Sequence, residues 1–509
     1  MSRHTLFIAA IVLSVLPLLG CNRATEAESR ESSVLTGGAR QRFVRAADLE
    51  TLKSRLDLRT EEEPGTGLRI SRGTFAVHED REARSGRMIH LGVVILHAKG
   101  PNLKPDPVFP FAGGPGQDVT TAEAGYRGSW MRDERDIVLV AQRGTGGDNK
   151  LDCPKAADDG NIQGYLDPLF RTDLFRDCRE ELSKKFDLTK YSTELAADDV
   201  NDLRRALGYD TINVTGSSYG TRMALVTMRR HPETVRTAVL NGVAPIAFRN
   251  PLYHAPNFHE AIRALFAECA NDPECRAAFP HLEDEYLAIL HRLEQEPAEV
   301  TVAHPVTHKP VGVRLSKEGF LEGLRVSMYG GSRSRDVPYA LHRAFEGELR
   351  PFAELALESE RGIRKILALG MLLCVTCAED LDRITEEDIV AIAAPTDAGD
   401  ARVRGQKAVC ELWPRSDLDP GCGDPVSVEV PTLLFSGNLD PVTPPKWGAE
   451  AASHLPRSLH LIFPGSHGVG GPCLTSIQKA FLESGSVDGL DVSCTESLRP
   501  RKFRVSARR

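Results

Sequence analysis

The chain has 509 residues, 41% hydrophobic and 26% charged, with 43 Gly and 32 Pro, proportions that exclude collagen, coiled coil and wholesale disorder. Lys plus Arg number 63 against 71 acidic residues, a formal net charge of −8, so no general attraction to nucleic acid or to an anionic membrane surface is expected. No run reaches the roughly 18 consecutive apolar residues of a membrane span. In chain order, Arg3 and His4 precede an apolar run over residues 6–19, which reads as an export signal over residues 1–20. Residues 22–60 are polar and charged and read as a flexible tether. Short Val- and Ile-rich runs at 74–77, 88–96, 108–112 and 137–140 read as strands. Residues 193–207 have helical spacing, with Gly208 placed to close the helix. A strand at 211–214, a helix at 221–230 and a strand at 235–240 follow. Strands alternating with helices predict a mostly parallel sheet covered on both faces, an α/β fold. Residues 249–427 read as mainly helical, and strand patterns resume at 430–435 and 459–463. The expected organisation is therefore one core, 61–248 and 428–509, interrupted by an inserted helical cap, 249–427.

The strongest chemical signal is Gly216-Ser217-Ser218-Tyr219-Gly220, a G-x-S-x-G between a strand and a helix. In that context it predicts a nucleophile elbow with Ser218 at its tip. A serine nucleophile needs a base, and the base needs an orienting carboxylate. On this fold the order is Ser, acid, His. Asp440 ends the run Ser436-Gly437-Asn438-Leu439-Asp440, and His467 lies in Gly465-Ser466-His467-Gly468, each just past a late strand. The bland alternatives are a turn-forming Asp before Pro441 and a loop histidine. The oxyanion hole is expected from the N–H of Tyr219 and one from Ala112-Gly113-Gly114-Pro115-Gly116, with Gly114 taken first and Gly113 next. No Gly-Lys-Ser/Thr follows those glycines, which excludes a phosphate loop. No cofactor is required and no metal is expected. The lone Cys374-Val375-Thr376-Cys377 lacks the second ligand pair of a zinc site.

Of the 11 cysteines, Cys21 falls at the end of the export signal, leaving an even number for a disulfide-permissive compartment. Spacing suggests Cys153–Cys178 and Cys269–Cys275, and the C-terminal tail suggests Cys473–Cys494. The other four allow three pairings, of which Cys377–Cys410 with Cys374–Cys422 is taken.

Two resemblances extend this reading. Leu18-Leu19-Gly20-Cys21 resembles the lipobox of bacterial lipoproteins; it implies that Cys21 is acylated and holds the mature chain in the cell envelope, the alternative being an ordinary signal peptide cleaved near Gly20. Phe109-Pro110-Phe111-Ala112-Gly113-Gly114-Pro115-Gly116, Gln142-Arg143-Gly144-Thr145-Gly146, the Ser218 motif and Gly437-Asn438-Leu439-Asp440-Pro441-Val442-Thr443-Pro444 resemble the prolyl aminopeptidase-like α/β hydrolases. Within them the chain is most similar to secreted bacterial tripeptidyl aminopeptidases, over about residues 70–495. The resemblance implies an α/β-hydrolase core, a helical cap and release of short N-terminal units from peptides. Ser218, Asp440 and His467 match that family's triad. Ala112 stands where the family often has His, and Ala141-Gln142-Arg143-Gly144 where it usually has Asp-x-Arg-Gly.

Cys377-Ala378-Glu379-Asp380 resembles the family's cap motif, in which carboxylates bind the substrate's free α-amine. Glu379, and second Asp380, are therefore the expected amine-binding residues; a solvated acidic pair is the alternative. The function expected is an exported serine aminopeptidase working through an acyl-enzyme. Its partners are peptide substrates, with no nucleic acid, membrane contact only through the lipid anchor, and a monomeric chain. An esterase or small-molecule hydrolase, or a catalytically silent binding protein on this fold, are the competing readings.

Overall fold

The computed structural model describes residues 49–506. The expected export signal, Cys21 and the first part of the expected tether lie outside the described residues. The strands are β1 (Leu56–Glu63), β2 (Leu68–His78), β3 (Met88–Leu96), β4 (Val108–Phe111), β5 (Ile137–Val140), β6 (Ile212–Ser217), β7 (Val235–Asn241), β8 (Ala298–Ala303), β9 (Pro310–Leu315), β10 (Thr432–Gly437) and β11 (Ser458–Phe463). Nine of them form one sheet in the order β1-β2-β3-β5-β4-β6-β7-β10-β11. The first three pairings are antiparallel; from β5 to β11 the strands run parallel. Strands β4, β5 and β10 are buried along their whole length, as expected for parallel strands with helices on both faces.

The helices that bear on the site are α1 (Leu49–Ser54), α2 (Thr193–Leu207), α3 (Tyr219–Arg230), α4 (Lys317–Ser327), α5 (Arg350–Ile366), α6 (Leu369–Glu379), α7 (Ala401–Cys410) and α8 (Pro472–Ser484). Helix α2 begins where the Ser192 hydroxyl accepts from Leu195 N–H and ends at left-handed Gly208, the cap chemistry its sequence announces. It packs beside α3 beneath the sheet.

The expected tether is too long at its C-terminal end. Residues 49–54 form α1, whose Leu52 is fully buried in the main core, and β1 pairs along its whole length with β2. The run Arg59-Thr60-Glu61-Glu62-Glu63 looks solvated because β1 is the sheet's edge, where charge guards unpaired backbone against foreign strands.

The inserted region also divides. Its first part has an apolar core of its own, in which Phe320 of α4 and Phe352 of α5 stack with centroids 4.2 Å apart, and it includes the β8–β9 hairpin alongside its helices. From Leu367 onward the side chains join the main core instead. Helix α6 is apolar all round and contributes Leu369, Met371, Leu373, Cys374, Val375 and Cys377 to the cluster that holds α2 and α3; a helix without a polar face is a buried one. Among the described residues, no helix is long and apolar enough to cross a membrane.

Among the described residues four disulfides are present: Cys153–Cys178, Cys269–Cys275, Cys377–Cys410 and Cys473–Cys494. The expected Cys374–Cys422 bridge is not formed. Cys374 lies one turn before Cys377 on the core side of α6, where Trp413 Nε1–H donates to its sulfur at 3.3 Å and burial pushes its thiol up to about 12. Cys422 sits beyond α7 against Arg229 and Arg383, on a different side of the helix.

Candidate active site

The sequence Gly216-Ser217-Ser218-Tyr219-Gly220 ends β6 and starts α3 without a spacer. Ser218 takes φ 57° and ψ −127°, a strained conformation that turns the strand back into the helix and lifts the hydroxyl off the sheet. The turn is tight enough to require the flanking glycines. A Cβ at Gly216 would lie 2.3 Å from Gly220 O, and one at Gly220 would lie 2.1 Å from Phe111 O. Tyr219 is the first residue of α3, so its N–H has no partner inside the helix and remains available to an anion.

Asp440 follows β10 and His467 follows β11, and the parallel pairing of these strands brings the two loops together. Asp440 is fully buried. Its Oδ1 accepts from the N–H groups of Val442 and Thr443, both at 2.8 Å, and its Oδ2 accepts from the Thr443 hydroxyl at 2.8 Å. His467 Nδ1 lies 2.8 Å from the same Oδ2. Burial opposes the charge on Asp440, but His467 and these hydrogen bonds outweigh it and hold the carboxyl below its ordinary range. A charged Asp440 accepts only, so Nδ1 carries the shared proton and Nε2 is left as a base.

Ser218, Tyr219, Gly113, Gly114 and His467 line one cavity of about 320 Å³. Of the two glycines weighed for the oxyanion hole, Gly113 abuts the nucleophile: a Cβ there would lie 3.1 Å from Ser218 Cβ. The cap closes the opposite wall. Tyr329 stands over His467 with ring centroids 5.2 Å apart.

Glu379 and Asp380, the expected amine-binding residues, are both engaged inside the protein. Glu379 does not line this cavity; it faces a smaller pocket beside Thr193 and Cys422. Both its oxygens are taken by Thr193, from N–H at 2.7 Å and from Oγ1 at 2.8 Å. Asp380 does reach the cavity wall, but it is fully buried and paired with Arg222 at 2.8 and 2.9 Å and with Arg383 at 3.3 Å. Adjacent residues at a helix end point different ways, and each found its partner inside the protein.

Two other carboxylates line the cavity, and sequence reasoning missed both. Glu322 of α4 is held by Arg325 and Arg402; burial opposes its charge, yet the two guanidinium groups keep it well below the usual range. Glu360 of α5 is 3% exposed. Its Oε2 accepts from Arg364 Nε–H at 2.9 Å, while Oε1 has no hydrogen-bond partner among the described residues. Burial pushes the Glu360 carboxyl up. Three other residues of this lining carry buried atoms without a partner among the described residues, His254 Nδ1, Arg402 Nε and Gln406 Oε1, and unmade buried hydrogen bonds are costly.

In sequence, Glu322 with Arg325 and Glu360 with Arg364 resemble ordinary i,i+3 and i,i+4 surface pairs. The usable signal was position. Glu360 and Arg364 continue the buried stripe Ala353, Ala356, Leu357 of α5, where a charge is out of place unless it has work to do.

Residues 131–300 match the alpha/beta hydrolase fold model, and residues 394–494 match the model described as TAP-like protein. The chain is similar to serine protease Hip1 of Mycobacterium tuberculosis (strain ATCC 25618 / H37Rv), 25% identical over 97% of this chain and 98% of that one. Solved structures similar to it include proline iminopeptidase from Mycobacterium smegmatis, 13% identical over 81% of this chain and 96% of that one with a TM-score of 0.35. Another is the esterase EaEST from Exiguobacterium antarcticum, 14% identical over 78% and 93% with a TM-score of 0.34.

Proposed function

We propose that this α/β hydrolase with a TAP-like C-terminal segment is an exported serine aminopeptidase that releases short N-terminal units from peptides. The observation that carries the reading is Glu360, a buried carboxylate that lines the same cavity as Ser218 and whose Oε1 has no hydrogen-bond partner among the described residues. A peptide's α-ammonium supplies donors for the unpartnered oxygen, while Arg364 holds the other one. The similarity to serine protease Hip1 supports peptide bonds as the target.

The reaction follows from the residues. Ser218 Oγ attacks the scissile carbonyl while His467 Nε2 accepts its proton, and Asp440 stabilises the resulting imidazolium. The Tyr219 N–H and one from Gly113 or Gly114 receive the oxyanion. As the intermediate collapses, the C–N bond breaks and His467 returns the proton to the leaving amine. Water, deprotonated by His467, then hydrolyses the acyl-enzyme and frees the N-terminal fragment. A cap over the catalytic face, with a charged group fixing the chain's end, favours termini over the middle of a folded chain.

Export is supported by the four disulfides, which persist in oxidising compartments. Anchoring would rest on acylation of Cys21. Cys21→Ser should move the mature protein from the membrane to the soluble fraction, since each buried CH₂ of an acyl chain contributes roughly 0.8 kcal/mol; a wild type already soluble after export would leave only a cleaved signal.

The catalytic reading is tested by Glu360→Gln assayed on a peptidyl amide with a free amino terminus and on its N-acetylated form. Activity on the free-amine substrate should fall and on the blocked one should not. Equal hydrolysis of both substrates by the wild type would instead favour an esterase or an endopeptidase.

A further inference from the structure

Glu379 is bonded to Thr193 of α2, which contacts Tyr219, and Asp380 to Arg222 of α3, the helix that follows the nucleophile. Thr193 Oγ1 lies 2.8 Å from Tyr219 Oη and 2.8 Å from Glu379 Oε2. When Glu379 is ionised the protons run one way: Tyr219 O–H donates to Thr193 Oγ1, whose O–H donates to Glu379. The Thr193 N–H closes the arrangement on Glu379 Oε1 at 2.7 Å. One turn along α3, Asp380 takes two hydrogen bonds from Arg222 Nη1, and Arg222 Nη2 donates to Pro245 O at 3.2 Å. Thr193 and Tyr219 are both buried, so solvent does not compete for these bonds.

We infer that the C-terminus of α6 is a positioning clamp for the oxyanion hole, in which Glu379, through Thr193, fixes Tyr219 and thereby aims its main-chain N–H. Asp380 fixes the same helical turn through Arg222. The inference rests on the serine-hydrolase reading, and it gives the cap a role in transition-state stabilisation separate from substrate recognition. An oxyanion donor works only if it is already aimed when charge develops, and small displacements in such a constellation are expensive. The Tyr219 hydroxyl is held by Thr193 of α2, and Thr193 in turn by Glu379, about 160 residues downstream of Tyr219 in sequence.

The charge on Glu379 is sensitive. Burial pushes its carboxyl up to about 7, with Arg222 acting against that rise. The groups that face it are Arg222 and Tyr219 of α3, Glu194 of α2, its neighbours Asp380 and Arg383, and Cys422.

The test uses the full chain and three readouts: kcat and KM on a free-amine peptidyl amide, kcat and KM on an acyl ester without an amine, and the rate constant for inactivation by a fluorophosphonate. Glu379→Gln should lower kcat on both substrates and the inactivation rate by a common factor of about ten, with KM within about twofold of wild type. Thr193→Val, which keeps the Thr193 N–H on Glu379 Oε1 but removes the hydroxyl that bridges Tyr219 and Glu379 Oε2, should do the same. It carries the test if Glu379→Gln fails to fold. A loss confined to free-amine substrates would return Glu379 to amine recognition and overturn the clamp, as would wild-type kcat and inactivation in Thr193→Val. A wild type that the fluorophosphonate does not label would sink the hydrolase reading itself, a distinct failure.

Discussion

Two acidic clusters of the inserted segment approach the nucleophile, and they are built on opposite plans. At the end of α6 every carboxylate oxygen is occupied: Glu379 by Thr193, Asp380 by Arg222 and Arg383. On the wall made by α4 and α5, Glu360 lines the cavity and leaves Oε1 without a partner among the described residues, as do other polar residues of that wall. The difference separates two jobs that look identical in sequence. We read a carboxylate whose lone pairs are spent inside the protein as structural, and one on a cavity wall with an unpartnered oxygen as the ligand-binding candidate. Type and proximity to Ser218 do not distinguish them; the hydrogen-bond ledger does.

The comparison can be broken from its shared end first. Ser218→Ala should lower kcat by roughly 10⁴ or more on every substrate while leaving the fold intact. Retained turnover in the folded variant would remove the chemistry both clusters are supposed to serve. Glu360→Gln should next cost roughly 10²-fold in kcat/KM on free-amine peptides, the scale of losing a buried charge-assisted contact, and spare an amine-free ester; steady-state kinetics on the pair checks it. Glu379→Gln should cost about tenfold in kcat without that selectivity. If the two variants lost the same substrates, the clusters would not differ in function.

The smallest effect concerns stability. The Glu379 carboxyl is pushed up to about 7 in the folded chain, above its ordinary range in an unfolded one. Its protonated form therefore favours folding: that contribution is full at low pH and is lost as pH rises through about 7. Gln has no such titration. The melting temperature of Glu379→Gln relative to wild type should accordingly shift in the variant's favour between pH 5 and pH 8, which a thermal-unfolding series at stepped pH measures; a flat difference would mean that Glu379 is charged throughout.

These two plans also explain what the sequence could and could not disclose. The elbow is local: two glycines around Ser218 and a strand-to-helix switch force the backbone geometry, so the motif names its own structure. Asp440 and His467 were legible for a related reason, because each ends a strand in a parallel sheet whose loops must gather at one edge. The cap has no such grammar. Glu379-Asp380 attracted attention as a pair, yet their roles depend on Thr193 and Arg222, which are distant in sequence. Glu360 passed as half of a surface ion pair, since only the packing of α5 buries it. Strand β1 was hidden by the charges an edge strand carries, and Cys374 by a partner, Trp413, that no cysteine spacing reveals.

The central claim is that the Ser218 cavity reads a free amino terminus through Glu360. The most direct measurement is the ratio of kcat/KM for a peptidyl amide to that for its N-acetylated counterpart, in wild type and in Glu360→Gln. The account predicts a wild-type ratio of about 10² or more that collapses toward one in the variant. A wild-type ratio near one, or a large ratio that survives Glu360→Gln, would contradict it.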